Sequence, residues 1–152
     1  MNDTYDSDLY LWTKAQGDAL RRRAANEIDW DNVAEEIESL GVSQRHEIRS
    51  RLEVLLIHLL KHRYDPDHRS PSWIASISEQ RRRIDLVLED SPSLRTFPAA
   101  ALAKAYQLAL LDKATDPIKW LSLPAECPWT MRGCWTRNGC PNDPKTRSRP
   151  SM

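Results

Sequence analysis

The chain has 152 residues, of which 22 are Lys or Arg and 22 are Asp or Glu, so its formal net charge is zero. This balance argues against a protein that coats nucleic acid or an anionic membrane non-specifically, because such proteins carry a large basic excess. With 4 Gly, 1 Phe and few β-branched residues, the composition also argues against a β-sandwich or a β-barrel.

Apolar residues recur near every 3.6 positions in the first part of the chain, which predicts two helices there. The first helix runs from about residue 4 to Arg23. The second begins at Asp29 or Asp31 and carries an apolar stripe. It is expected to end at Gly41, because glycine commonly follows the last turn of a helix.

Three further helices are predicted in the middle of the chain. Ser43 caps the first of them, which reaches about His62 and has the strongest periodic signal in the sequence. A polar loop over residues 64–69 follows. Pro71 and Pro92 each come directly after a serine, and this pairing marks the start of the fourth and fifth helices.

The end of the chain is expected to be mostly irregular. Residues 117–123 predict one short helix, and beyond them Pro, Gly and Arg recur too often for regular structure. The prediction is therefore an all-α fold, a single-domain antiparallel bundle of about five helices over residues 4–130. Residues 131–152 are expected to form an irregular, mobile basic tail.

The sequence also predicts a reduced, cytoplasmic protein without a membrane partner. Residues 1–8 are acidic and polar, unlike a signal peptide. The longest apolar run, residues 54–60, is far shorter than the roughly 20 residues that a membrane span needs. An odd number of cysteines near one end does not fit a secreted disulfide scaffold; they are Cys127, Cys134 and Cys140.

The zero net charge conceals a local imbalance. Residues 24–40 contain six acids and no base, whereas bases outnumber acids over residues 41–83. After Cys127 the chain carries five bases and one acid. The acidic second helix is therefore expected to form salt bridges with the basic third and fourth helices.

Several sequence blocks occur in the order typical of one known family. They are Leu9-Tyr10-x-Trp12, the run from Asp29 to Gly41, Ser50-Arg51-Leu52, His58-Leu59-Leu60-Lys61, Ser72-Trp73, Gln80-Arg81-Arg82, Ser91-Pro92-Ser93-Leu94 and Glu126-Cys127-Pro128-Trp129-Thr130. Together they resemble the bacterial "domain of unknown function" family numbered twenty-nine. The resemblance implies a small, helical, cytoplasmic protein, and it implies no reaction, cofactor or catalytic residue. After Thr130 the basic, Pro-rich end departs from the pattern.

Two histidines raise the possibility of a metal or small-ligand site. His58 and His62 are four residues apart, so they share one helix face. A site would also need a carboxylate, such as Glu35, Glu36 or Glu38, from the acidic second helix. The competing interpretation is that both are boundary histidines hydrogen-bonded to acids. We assign no metal or cofactor.

Two arginine runs, residues 21–23 and 81–83, invite a nucleic-acid interpretation. The zero net charge and the lack of a recognisable helix-turn-helix, finger or RNP motif argue against it. Salt bridges within the chain are the alternative role for these arginines.

The 6 Trp are many for a chain of this length. Trp12, Trp30 and Trp73 begin or join apolar stripes, so anchoring the core is their expected role. Some aromatic residues, with polar neighbours, could instead build a partner surface or a buried ion-pair network between helices. This second interpretation gives a candidate binding cluster of Trp30, Asp31, Glu36, Arg51, His58, His62, Trp73 and Gln80.

The functional prediction is a non-enzymatic helical module for self-association or protein-partner binding, with no catalytic residue assigned. Two alternatives stay open. One is a metal- or small-ligand-binding bundle centred on His58 and His62 with acids of the second helix. The other, with less support, is a nucleic-acid-linked or antitoxin-like regulator.

Overall fold

The computed structural model describes residues 3–112, 115–119 and 123–135. Within these ranges the chain is mostly helical and forms no strand, which confirms the all-α prediction. The helices are α1 (Asp3–Ser7), α2 (Leu9–Arg22), α3 (Trp30–Tyr64), α4 (Pro71–Asp90), α5 (Phe97–Leu111), α6 (Asp116–Lys119) and α7 (Met131–Trp135), with short 3₁₀ turns at Ala25–Glu27, Pro66–His68 and Pro92–Leu94.

The chain forms two compact units, which we call the first unit (residues 1–43) and the second unit (residues 44–152). The boundary between them falls inside α3. The prediction of one bundle domain over residues 4–130 stays a prediction.

The first unit contains α1, α2 and the beginning of α3. Trp12 is only 2% exposed, and its ring meets the ring of Tyr5 edge-on at 4.8 Å between centroids. The buried Gln16 accepts a hydrogen bond from the backbone N–H of Asp29 at 2.8 Å and donates one to the carbonyl of Glu27 at 3.4 Å. A side chain of α2 thus satisfies backbone groups in the turn that leads to α3.

The predicted first helix is wrong in one respect, because the chain breaks at Asp8 to give α1 and α2. The Asp8 side chain accepts a hydrogen bond from the backbone N–H of Leu11 at 2.9 Å and so caps α2. At the other end, Arg23 adopts the left-handed conformation with φ 56° and closes α2. Periodicity alone does not distinguish a capped break from a continuous helix.

The prediction that a helix ends at Gly41 is also wrong. The predicted second and third helices are one helix, α3, of 35 residues. A glycine inside a helix costs only about 1 kcal/mol relative to alanine, which the flanking turns can outweigh. Ser43, predicted to be a helix cap, therefore lies inside α3.

The core of the second unit confirms the strong periodic signal predicted around residues 48–60. The most buried side chains there come from the later part of α3, from α4 and from α5. They are Ile48, Leu52, Leu55, Leu56, Leu59, Leu60, Ile77, Ile84, Tyr106 and Ala109, each at most 1% exposed. Their spacing places one continuous apolar face of α3 against its neighbours.

The proline signals correctly predict the start of α4 but not the start of α5. Ser70 caps α4 by accepting a hydrogen bond from Ser72 at 3.1 Å, with Pro71 as the first helical residue. Pro92 begins a 3₁₀ turn, and α5 starts at Phe97. Of the short helix predicted over residues 117–123, residues 117–119 belong to α6, and residues 120–122 lie outside the described residues.

The expected irregular tail is wrong for residues 131–135, which form α7. Cys134 is fully buried in the core of the second unit, and its carbonyl accepts a hydrogen bond from Arg81 Nε at 2.6 Å. Trp135 Nε1 donates to Asp85 at 2.9 Å. These contacts fasten α7 to α4. Residues 136–152 of the predicted tail lie outside the described residues.

Over the described part of the chain, we find no helix that is both long enough and apolar enough to cross a membrane.

Candidate functional site

The eight residues of the predicted binding cluster divide between the two units. Trp30, Asp31 and Glu36 belong to the first unit. The other five, which belong to the second unit, are Arg51, His58, His62, Trp73 and Gln80.

In the first unit, α3 carries large apolar side chains that remain exposed. Trp30 is 59% exposed, Ile37 62% and Leu40 69%. Together with the half-buried Val33, they are separated by three, four and three residues, the spacing that places side chains on one helix face. We call Trp30, Val33, Ile37 and Leu40 the α3 stripe. The expectation that Trp30 anchors the core is therefore wrong.

Two residues of the predicted cluster in the first unit, Glu36 and Trp30, form hydrogen bonds. Glu36 accepts a hydrogen bond from the hydroxyl of Tyr5 at 2.7 Å, and this bond raises the pKa of Tyr5 to about 12. Trp30 Nε1 donates to the carbonyl of Ala25 at 3.2 Å, which orients the exposed indole. Asp31 is exposed.

In the second unit, the structure brings two of the predicted residues together. Arg51 Nη1 donates to Gln80 Oε1 at 3.4 Å and so links α3 to α4. Arg51 Nε also lies 3.7 Å from Glu47 Oε1. Trp73 is half-buried, with the ammonium of Lys61 5.7 Å from its ring centroid.

The two candidate histidines have different environments. His58 Nδ1 lies 2.8 Å from the carbonyl oxygen of Val54, one turn earlier in α3. His62 is buried, and its Nδ1 has no hydrogen-bond partner in the described part of the chain. Burial, and secondarily the charge of Arg69, lowers the pKa of His62. Among the hydrogen bonds of the described residues, neither histidine is bonded to an acid, whereas the sequence predicts acid-bonded boundary histidines.

The metal-binding alternative combines the two histidines with acids of the predicted second helix. Those acids belong to the first unit and the histidines to the second unit. Within the described ranges, no group of three or more His, Cys, Asp or Glu side chains is arranged to hold a metal ion. The metal-binding alternative stays a hypothesis.

Both arginine runs make contacts within the chain. Arg22 forms ion pairs with Asp18, at 2.7 Å, and with Glu27. Arg82 and Arg83 both pair with Glu79, at 3.0 and 2.5 Å. These pairs are local, because their members lie three to five residues apart in the chain. They also occupy cations that the nucleic-acid interpretation would need. The salt bridges expected between the acidic second helix and the third and fourth helices stay a prediction.

The chain belongs to the family described as Domain of unknown function DUF29. The family profile matches residues 4–138, nine-tenths of the chain, and confirms the resemblance drawn from the sequence blocks. The match extends beyond Thr130 and includes α7. No curated protein and no solved structure matches the chain. Membership in DUF29 assigns the chain no reaction.

The two cysteines that the structure describes in this DUF29 member do not have the environment of a reactive nucleophile. Burial raises the pKa of Cys127, whose Sγ lies 3.4 Å from the carbonyl of Trp129. Burial also raises the pKa of Cys134 to about 12. Because the thiolate is the reactive form, both groups are poorly suited to covalent catalysis.

Sequence reasoning missed one group of polar residues, which lines a groove between α3 and α5. The groove has a volume of about 190 Å³ and includes His46, Arg49 and Glu53 from α3 and Lys104 from α5. The α3 residues recur at intervals of three and four, which places them on one helix face. That spacing was visible in the sequence, but the position of α5 beside it was not.

Proposed function

We propose that this DUF29 member is a non-enzymatic helical module that associates with a second copy of itself through the α3 stripe. The single observation that carries the proposal is the exposure of Trp30, Ile37 and Leu40 on one face of α3. Contiguous exposed apolar side chains on a soluble protein commonly mark an interaction surface. Burying the area that each of them still exposes would contribute about 1–2 kcal/mol.

Charge supports a second copy as the occupant of this surface. Residues 1–43 contain ten acids and four bases, whereas residues 44–152 contain twelve acids and eighteen bases. Contact between two stripes would bring two acidic first units together. Contact of the stripe with the second unit of another copy instead pairs opposite charges, and two-fold symmetry allows this contact to form twice.

A cytoplasmic location belongs to the same proposal. Its support is the free thiols of Cys127 and Cys134. Free thiols are typical of proteins kept in a reducing compartment.

The test is to place a charge on the stripe and measure the mass in solution. Ile37→Glu and Leu40→Glu should each shift sedimentation equilibrium from a mass near twice 17.6 kDa towards 17.6 kDa. Both side chains are exposed, so each change should alter the free energy of unfolding by less than about 0.5 kcal/mol.

The matched control is Leu11→Glu, which adds the same charge at an exposed leucine, 57% accessible, on α2 of the first unit and outside the stripe. The control should keep the mass of the unaltered chain. If the stripe variants and the control all have the unaltered mass, the stripe is not the association surface.

A further inference from the structure

We infer that the groove between α3 and α5 receives the α3 stripe of a second copy of the chain. This inference rests on the proposed self-association and adds to it the surface of the partner copy against which the stripe packs. The groove residues all belong to the second unit, whereas the stripe belongs to the first unit. Each copy therefore carries both surfaces that the contact needs.

The lining of the groove suits an aliphatic side chain. The groove is half-open, and its lining is mostly apolar. Ala105, which is buried, and Leu108, which is 40% exposed, line it from α5. Its volume of about 190 Å³ equals the space of about six water molecules, at about 30 Å³ each. This space is sufficient for the four side-chain carbons of Ile37 or of Leu40.

The charged residues around the groove are mostly basic. Lys104 is exposed and is the single charged residue of α5. On the α3 side, Arg49 lines the groove together with one acid, Glu53. Bases therefore outnumber acids around this apolar surface, and a docking segment that carries acids is attracted to it.

The α3 stripe has the opposite surroundings. Residues 30–40, which carry the stripe, contain four acids and no base. Three of these acids are exposed, namely Asp31, Glu35 and Glu38. Contact between two stripes would bring the acids of both copies together without a base. Contact between a stripe and a groove instead pairs opposite charges around an apolar centre, which is the complementarity typical of a specific interface.

The same arrangement explains why association stops at two copies. When the stripe of each copy lies in the groove of the other, the two contacts are identical and are related by a two-fold axis. Both stripes and both grooves are then occupied. No free surface of this kind remains to add a third copy.

The first test places a charge on the apolar lining of the groove. Leu108→Glu should weaken dimerisation, measured by sedimentation equilibrium, by about tenfold or more. The matched control is Leu86→Glu on α4, outside the groove, where the leucine is 45% exposed. The control should dimerise like the unaltered chain, and thermal unfolding verifies that both variants are folded. If folded Leu108→Glu dimerises like the control, the groove does not receive the stripe.

The second test reverses a charge at a fully solvated position, where folding does not depend on the side chain. Lys104→Glu should weaken dimerisation at low salt and have a smaller effect at 1 M salt, where charges are screened. Arg95→Glu is the matched control, since it makes the same change at an exposed position of the second unit outside the groove. Equal effects of the two variants would contradict docking at the groove.

A mixture of two variants tests the pairing of stripe with groove directly. Ile37→Glu alters every stripe and Leu108→Glu alters every groove, so neither variant alone retains an intact contact. In the mixture, the intact stripe of the Leu108→Glu chain can occupy the intact groove of the Ile37→Glu chain. The mixture should therefore associate more tightly than either variant alone. A mixture that associates no more tightly would contradict this pairing.

Failure of the groove and failure of self-association give different results. A monomeric mass of the unaltered chain at every concentration contradicts the proposed self-association and the groove with it. If the unaltered chain dimerises, Ile37→Glu prevents dimerisation and Leu108→Glu does not, then only the groove is contradicted.

Discussion

His62 is a buried imidazole whose environment disfavours its charged form. Its Nδ1 has no hydrogen-bond partner within the described ranges, and burial together with Arg69 lowers its pKa. In the unfolded chain, the pKa of His62 is near 6.5. Folding therefore favours the neutral ring, and the unfolded state binds more protons below that pH.

This difference predicts a pH dependence of stability with a definite sign. The contribution of neutral His62 to the free energy of unfolding is fully present above pH 6.5. It is lost as the pH falls through the lowered pKa of His62 in the folded state. The free energy of unfolding, measured with urea between pH 7 and pH 5, should decrease. In His62→Gln this decrease should be smaller.

His68 provides a control of opposite sign. Its hydrogen bond to Asp65, at 2.7 Å, raises its pKa, so its protonation stabilises the folded chain as the pH falls. His68→Gln should therefore make the decrease steeper or leave it unchanged, because His68 is exposed. The account of His62 is contradicted if His62→Gln leaves the slope between pH 7 and pH 5 as it was.

The two cysteines allow a test of how firmly α7 is packed. Cys134 is fully buried, so Cys134→Ser places a hydroxyl in an apolar site at a cost of about 1–3 kcal/mol. Cys127→Ser should cost less, because Cys127 is half-buried and its new hydroxyl can donate to the carbonyl of Trp129. Urea unfolding of both variants compares the two costs. Equal, negligible costs would mean that α7 does not pack as described.

At the scale of elements, the continuity of α3 through Gly41 is the clearest departure from the helix ends predicted by the sequence. An added Cβ at Gly41 meets no atom within 4 Å. Gly41→Ala should therefore raise the free energy of unfolding by about 0.5–1 kcal/mol, as expected inside a helix. Thermal or urea unfolding measures the change.

The matched control is Gly17→Ala in α2, where an added Cβ would lie 3.6 Å from Arg21 Nη1, an ordinary contact. A similar gain is expected there. If Gly17→Ala stabilises the chain and Gly41→Ala destabilises it, then the chain turns at Gly41 and α3 is not one helix.

Periodicity predicted the helices well and their ends less well, for a physical reason. The apolar stripe from Ile48 to Leu60 is a property of one face over many residues, so it can be recognised without knowing the neighbours. An end depends on single residues with effects near 1 kcal/mol. Gly41 predicts a helix end but lies inside α3. Asp8 caps α2, although the periodicity predicts one continuous helix there.

At the scale of the whole molecule, the sequence predicted the all-α class. It did not predict which apolar helix faces are buried and which are exposed. Ile37 and Ile48 have the same kind of helical spacing, yet one is 62% exposed and the other fully buried. Spacing identifies an apolar face, and only the packed structure identifies what lies against it. The groove of Arg49 and Lys104 was missed for the same reason, since it needs two distant helices side by side.

The two units carry net charges of opposite sign, and this difference favours the proposed association of two copies. Residues 1–43 contain ten acids and four bases, whereas residues 44–152 contain twelve acids and eighteen bases. The first unit of one copy and the second unit of another copy therefore attract each other electrostatically. The apolar stripe contributes attraction that salt does not screen, whereas the charge contribution weakens as the Debye length shortens to about 3 Å at 1 M.

The mass of the unaltered chain in solution tests the central claim most directly. Sedimentation equilibrium over a wide concentration range, at low salt and at 1 M salt, should give a reversible monomer–dimer equilibrium. Its limits should be 17.6 kDa and twice that mass, with weaker association at high salt. A mass of 17.6 kDa at every concentration and both salt levels would contradict self-association through the α3 stripe.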